Sequence, residues 1–155
     1  MNSSIQRIYR RMRDSGTNPV WALRSARIIH QFNSICDSRD NLEPEDIGAV
    51  RIVSEYDSEP YDPGDTLEPF CDSDGRWRSR EENEKELNHM LETYGNYVVM
   101  SQVWNGHEWE MVDSIGGCAG YHDPESPYEN DYVVDLMSAA IDASEKMTAD
   151  IVALP

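Results

Sequence analysis

The stretch Tyr97–Ile115, YVVMSQVWNGHEWEMVDSI, constrains the fold more than any other. Two β-prone runs flank Asn105-Gly106, the dipeptide that most favours a two-residue type I′ turn because both of its positions need a positive φ. Centring the turn there pairs Trp104 with His107, Gln102 with Trp109, Met100 with Met111 and Val98 with Asp113. That register puts two Trp and two Met on one face, the expected core side. The opposite face carries Tyr97, Val99, Val103 and Val112 with Ser101, Glu108 and Glu110, and is expected to be half solvated.

The rest of the chain supplies elements to cover such a hairpin. Ser3 or Ser4 caps a short helix with Ile5, Ile8, Tyr9 and Met12 as its apolar stripe, and Gly16 ends it. Thr17 or Asn18 followed by Pro19 opens a second helix to about Ile35. Trp21, Ala22, Ala26, Ile28, Ile29, Phe32 and Ile35 make its apolar surface, and Arg24, Arg27 and Gln31 its polar strip. Ala49–Tyr56 alternates as a strand should. Ser79 with Glu82 is a capping box, opening a helix that runs to about Tyr94 with Gly95 as its C-cap. Leu87, Met90, Leu91 and Tyr94 are its expected buried stripe, and Glu81, Glu82, Glu84, Glu86 and Glu92 make its outside negative. The segment GGCAGYHDPESPYEN reads as a loop, and a last helix starts near Asp131 with Val133, Met137, Ala140, Ile141, Ser144 and Met147 at helical spacing.

The economical architecture is α+β: a small antiparallel sheet, made of one strand plus the Asn-Gly hairpin, covered by helices. Residues 1–155 are expected to form a single domain, with a basic helical pair over 1–36 and an acidic extended loop over 57–75. A chain of 155 residues can bury an ordinary core without metal or disulfide staples.

Charge narrows the function. The net formal charge is −17, a field that repels nucleic acid and membranes and attracts a basic partner. Residues 1–40 hold seven Lys/Arg against three Asp/Glu, whereas residues 41–155 hold six against twenty-seven. A basic helical end and an acidic body of this kind can satisfy one another within a chain or between chains. The three cysteines, Cys36, Cys71 and Cys118, are odd in number and far apart, which fits reduced thiols in a cytoplasm. The N-terminus has no apolar signal region, and no window approaches eighteen apolar residues, so neither export nor membrane insertion is expected.

Motifs for chemistry are sparse. Gly116-Gly117-Cys118-Ala119-Gly120 has the spacing of a thiol nucleophile elbow, but no helix follows it directly. Cys118 and His122 form one close pair, with Cys71, His89 and His107 as distant companions, where a structural zinc site shows two pairs. Asp72-Ser73-Asp74-Gly75 with Glu81 matches part of a calcium loop whose first ligand position falls on Phe70. No cofactor is expected, and a small metal- or thiol-dependent enzyme built on Cys118 and His122 is the alternative to a binding protein. The acids considered together point elsewhere. Asp62, Asp65, Asp72, Asp74, Glu81, Glu82, Glu84, Glu108, Glu110 and Asp123 can present carboxylates at phosphate-like spacing, with Tyr121 and Tyr128 as apolar anchors.

The size, the acidity and the DSIGGCAGYHD segment before an acidic-start helix resemble small accessory proteins encoded by phages and plasmids, many of them acidic inhibitors of host nucleases or surveillance complexes. The resemblance implies a non-enzymatic protein, acting in the host cytoplasm, that mimics nucleic acid and binds a basic or nucleic-acid-binding protein rather than nucleic acid itself. A homo-oligomer held by the N-terminal helices, in a structural role, is a further expectation.

Overall fold

The computed structural model describes residues 1–37, 44, 46–57, 70–71, 75–119 and 131–153, with only the backbone of 70–71, 87, 90, 94, 117–119 and 131. The elements are α1 (Ser3–Asp14), α2 (Pro19–Ile35), β1 (Val50–Tyr56), β2 (Phe70–Cys71), β3 (Trp77–Arg78), α3 (Arg80–Tyr94), β4 (Asn96–Trp104), β5 (Trp109–Ala119) and α4 (Asp131–Val152). β4 is the middle strand of a small antiparallel sheet ordered β1-β4-β5, so the fold is α+β. β2 and β3 form a separate antiparallel ribbon, with Phe70 opposite Arg78 and Cys71 opposite Trp77. Part of the expected acidic loop is thus a strand, while 58–69 and 72–74 lie outside the described residues.

The helices start and stop for local reasons. Asn2, not Ser3 or Ser4, caps α1, its side chain accepting from the Ser4 amide at 2.8 Å. Asn18 caps α2 in the same way at 2.9 Å, with Pro19 in the first turn where a missing N–H costs nothing. At α3 the Glu82 amide donates to Ser79 Oγ at 3.2 Å, and the Ser79 amide donates back to Glu82 Oε2 at 3.0 Å. That returned bond, helped by Arg76 and Arg78, holds the Glu82 carboxyl below its usual range. Because its folded pKa lies below the unfolded value, Glu82 supports the helix start above the unfolded pKa, and that support is lost as pH falls through the folded one. Replacing Ser79 by Ala is expected to cost about 1 kcal/mol at neutral pH, with a smaller cost in acid, measurable by urea unfolding at several pH values. The helix ends at Gly95, whose φ of 86° and ψ of −176° belong to a region open essentially to glycine alone. A Cβ there would lie 3.0 Å from the Tyr56 ring, which in turn meets Tyr97 edge-on with centroids 5.7 Å apart.

The described chain divides into two compact units. The first holds α1, α2, α4, the start of β1 and the tip of the β4–β5 hairpin; the second holds α3, the ribbon and the other ends of the three long strands. In the first unit, Ile8 and Met12 of α1, Ala22, Ala26, Ile29 and Phe32 of α2, and Val133, Val134, Leu136, Met137, Ala140 and Ile141 of α4 are buried. These helices supply the layer over the buried strand positions Val50, Ile52, Ser101 and Val103. Trp21, expected in that apolar layer, is 55 % exposed, because its place on the helix lies at the edge of the buried stripe.

The hairpin departs from its expected register. The Asn105 amide donates to the Glu108 carbonyl at 3.1 Å, so the turn is centred on Gly106-His107 instead of Asn105-Gly106. The Asn105 side chain sets this by accepting from the amides of His107 and Glu108 at 2.8 and 2.9 Å. Trp104 therefore faces Trp109, their ring centroids 5.6 Å apart, not His107. The core face of β4 is Val99, Ser101 and Val103, at 0, 0 and 2 % exposure, while Met111 is 62 % exposed. The Trp and Met face is not the core floor: the helices cover the β-branched and small side chains, and on the other face of β4 only the two end residues, Asn96 and Trp104, are buried. Finally, the GGCAG segment is not a loop at its start, since Gly116–Ala119 continue β5.

Candidate interaction surface

The face of the sheet opposite the one that buries Val99, Ser101 and Val103 carries, among the described residues, a preorganised cluster in the first unit. Arg51 projects from β1, and its Nε donates to Gln102 Oε1 of β4 at 2.7 Å. Its guanidinium carbon sits 4.2 Å from the centre of the Trp109 ring of β5, a cation–π contact. Gln102 Nε2 lies 3.6 Å from the Met100 sulfur, and Trp104 meets Trp109 edge-on. Met111, two residues beyond Trp109, extends the same face into solvent.

Such composition is unusual for the solvated side of an antiparallel sheet, which is ordinarily polar. Trp, Met and Arg are the side chains enriched at the centres of protein interfaces, and Trp and Arg at their hot spots. Contacts between neighbours fix the rotamers of Arg51, Gln102 and Trp109, so little conformational entropy remains to be lost when a partner docks. Of the exposed carboxylates nearby, Asp113 shares the face of Trp109 and Met111, whereas Glu110 alternates to the other face and accepts from Asn105 Nδ2 at 2.5 Å. Arg51 had no part in the sequence expectations. Its partners lie on strands distant in sequence, and only the correct turn centre brings Trp109 beside Trp104.

The expected acidic residues are distributed differently. In the second unit, α3 has two charged sides. Glu82 pairs with Arg76 at 2.8 Å and Glu86 pairs with Arg78, so this side is neutralised from within. Glu81, Glu84 and Glu92 lie on the other side, around a shallow depression shared with Lys85, Asn88 and His89. Glu108 and Glu110 belong to the hairpin tip in the first unit. Asp62, Asp65, Asp72, Asp74, Tyr121, Asp123 and Tyr128 lie outside the described residues, as does His122, and of Cys118 only the backbone, in β5, is described. Twelve of the thirty Asp/Glu but one of the thirteen Lys/Arg fall in residues 38–43, 45, 58–69, 72–74 and 120–130.

A cavity of about 340 Å³ in the first unit is lined by Ser34–Asp37, Asp46–Ala49, Ser144 and Thr148. Burial, and then the charge of Asp37, push the Cys36 thiol up, the wrong direction for a nucleophile. Ser144 Oγ is committed to the Gly48 carbonyl at 2.5 Å. Among the described residues no three His, Cys, Asp or Glu side chains converge as metal ligands, and no helix is long and apolar enough to cross a membrane. No protein-family model, curated protein or solved structure matches the chain, so its function is argued from these surfaces alone.

Proposed function

We propose that the chain is a non-enzymatic interaction protein that binds a basic protein surface, one that ordinarily holds nucleic acid. The observation that carries this reading is the cluster of Arg51, Gln102, Trp109 and Met111, backed by the buried Trp104 ring, within a chain of net charge −17. The apolar and aromatic side chains supply a desolvated anchor, and the carboxylates supply attraction and the selection of a cationic partner. Inhibition by occupying a nucleic-acid site, as a phosphate mimic, follows if the partner is a host nuclease or surveillance complex.

The test is a binding measurement against purified DNA- and RNA-binding proteins captured at low salt. Affinity is expected to fall steeply between about 0.05 and 0.5 M salt, since exposed charges more than a Debye length apart are screened. Trp109→Ala is expected to weaken the complex by about 30-fold, the scale of a hot-spot truncation of ~2 kcal/mol, and Cys118→Ala to leave it unchanged. A nucleic-acid duplex should compete with the chain for its partner. Salt-independent binding, or a ternary complex with bound nucleic acid, would refute the proposal.

A further inference from the structure

The strand that carries Trp109 is also an edge of the sheet. At the β1 edge the chain covers its own backbone, since Val50 bridges Cys36 and accepts from the Asp37 amide at 3.0 Å. Beyond β5 no strand follows among the described residues. The Trp104 amide donates toward β1, to the Ala49 carbonyl at 2.8 Å, so alternation turns the backbone groups of Val103 and Asn105 toward β5. Asn105 is bonded to Glu108, and the same alternation along β5 turns the backbone of Glu110 and Val112 inward. The N–H and C=O groups of Trp109, Met111 and Asp113 therefore point outward. These are the residues whose side chains lie on the Arg51 face. A strand laid along this edge gains ladder hydrogen bonds and, about 5 Å away, sets its own side chains beside Trp109 and the 62 % exposed Met111.

We infer that an extended segment of the basic partner adds to β5 as a further strand, with arginine or lysine opposite Glu110 and Asp113 and an apolar residue opposite Met111. The inference rests on the proposed function and states how that partner is held. Edges that must stay unpaired are blunted by proline, lysine or bulges, and the run Trp109–Asp113, WEMVD, has no proline, glycine or lysine. It has instead one exposed carboxylate on each face, three positions apart. One oxygen of each is oriented, by Asn105 Nδ2 at 2.5 Å for Glu110 and by the Ser114 amide at 2.8 Å for Asp113. An incoming strand meets both only with basic residues at the matching spacing, which adds selection to the sequence-blind backbone bonds. A second copy of this chain is the poorer occupant. It brings a further charge of −17, and its own β5 contains no Lys or Arg.

The probe is a labelled, end-capped synthetic peptide alternating valine and threonine, with arginine at two positions three apart. Anisotropy titration with the purified full chain at about 0.05 M salt should show saturable binding. N-methylation of one alternate set of peptide amides should weaken binding about tenfold or more, and methylation of the other set should leave it unchanged, although charge is the same throughout. Asp113→Lys should weaken binding about tenfold, and a peptide with glutamate replacing the matching arginine should regain it, which a misfolded variant could not produce. No binding by the parent peptide, or equal binding by both methylated forms, would overturn the inference. A dimer that Met111→Pro abolishes and the peptide leaves intact would overturn it in favour of a second copy. Since the titration needs only the chain and the peptide, the salt-sensitive complex with a basic protein stands or falls separately.

Discussion

Val103→Asp is expected to unfold the protein at room temperature or bring it close to that point, whereas Met111→Asp should leave its melting temperature almost unchanged. Val103 is 2 % exposed, so the substitution forfeits about 1.5–3 kcal/mol of apolar burial. A carboxyl left under the helix layer costs a few kcal/mol more, whether it stays charged or takes up a proton. The combined loss, about 4–6 kcal/mol, is comparable to the whole stability of a small domain. Met111 is 62 % exposed on the opposite face, and a polar side chain there belongs to the ordinary surface class, within about 0.5 kcal/mol. The pair decides the register: with the turn centred on Asn105-Gly106 and Met111 in the core, the order of the two effects reverses. Urea unfolding of both variants reads it directly. Met111→Asp should still weaken partner binding, because it alters the open face without touching the core.

The contrast marks where sequence reasoning reached and where it stopped. Signals local to a few residues were legible. Asn18-Pro19, Ser79 with Glu82, Gly95 and the run from Asp131 fixed helix ends that the structure reproduces, because capping and φ constraints act over one turn. The face of the hairpin was not legible, since both faces carry apolar side chains and alternation alone cannot say which one the helices cover. The deciding interaction, the Asn105 side chain accepting two turn amides, shifts the turn by a single residue. The ribbon Phe70–Cys71 with Trp77–Arg78 is too short to leave a periodic trace. At the site, acidity was legible as a total and not as a surface. Glu82 and Glu86 spend their charge on Arg76 and Arg78, and the Arg51–Gln102 bond joins residues 51 apart in the chain.

Gly48→Ala is the second large effect expected, through a different mechanism. Gly48 stands before β1 with φ +89°, a conformation that costs an L side chain about 1–2 kcal/mol. Its added Cβ would lie 2.9 Å from Thr148 Cγ2 and 3.0 Å from Ser144 Oγ, both on α4. The two neighbours differ in their ability to yield. Thr148 can turn away at the cost of its hydroxyl's bonds to the Ser144 and Glu145 carbonyls, but Ser144 is 6 % exposed, and its hydroxyl donates to the Gly48 carbonyl itself. Relief of the clash therefore strains or breaks a buried hydrogen bond, worth about 1 kcal/mol. The Gly48 amide is also committed, donating to the Trp104 carbonyl at 2.9 Å, so the backbone cannot swing aside without loosening the end of β4. The expected cost is about 3 kcal/mol in urea unfolding. Adding Thr148→Ala should restore only the part due to Cγ2, about 1 kcal/mol or less, because φ and the Ser144 contact remain. A cost within about 0.5 kcal/mol for Gly48→Ala, or full restoration by Thr148→Ala, would mean that the segment before β1 does not pack against α4. In that event the join between the helix layer and the sheet face of Ser101 and Val103 would have to lie elsewhere.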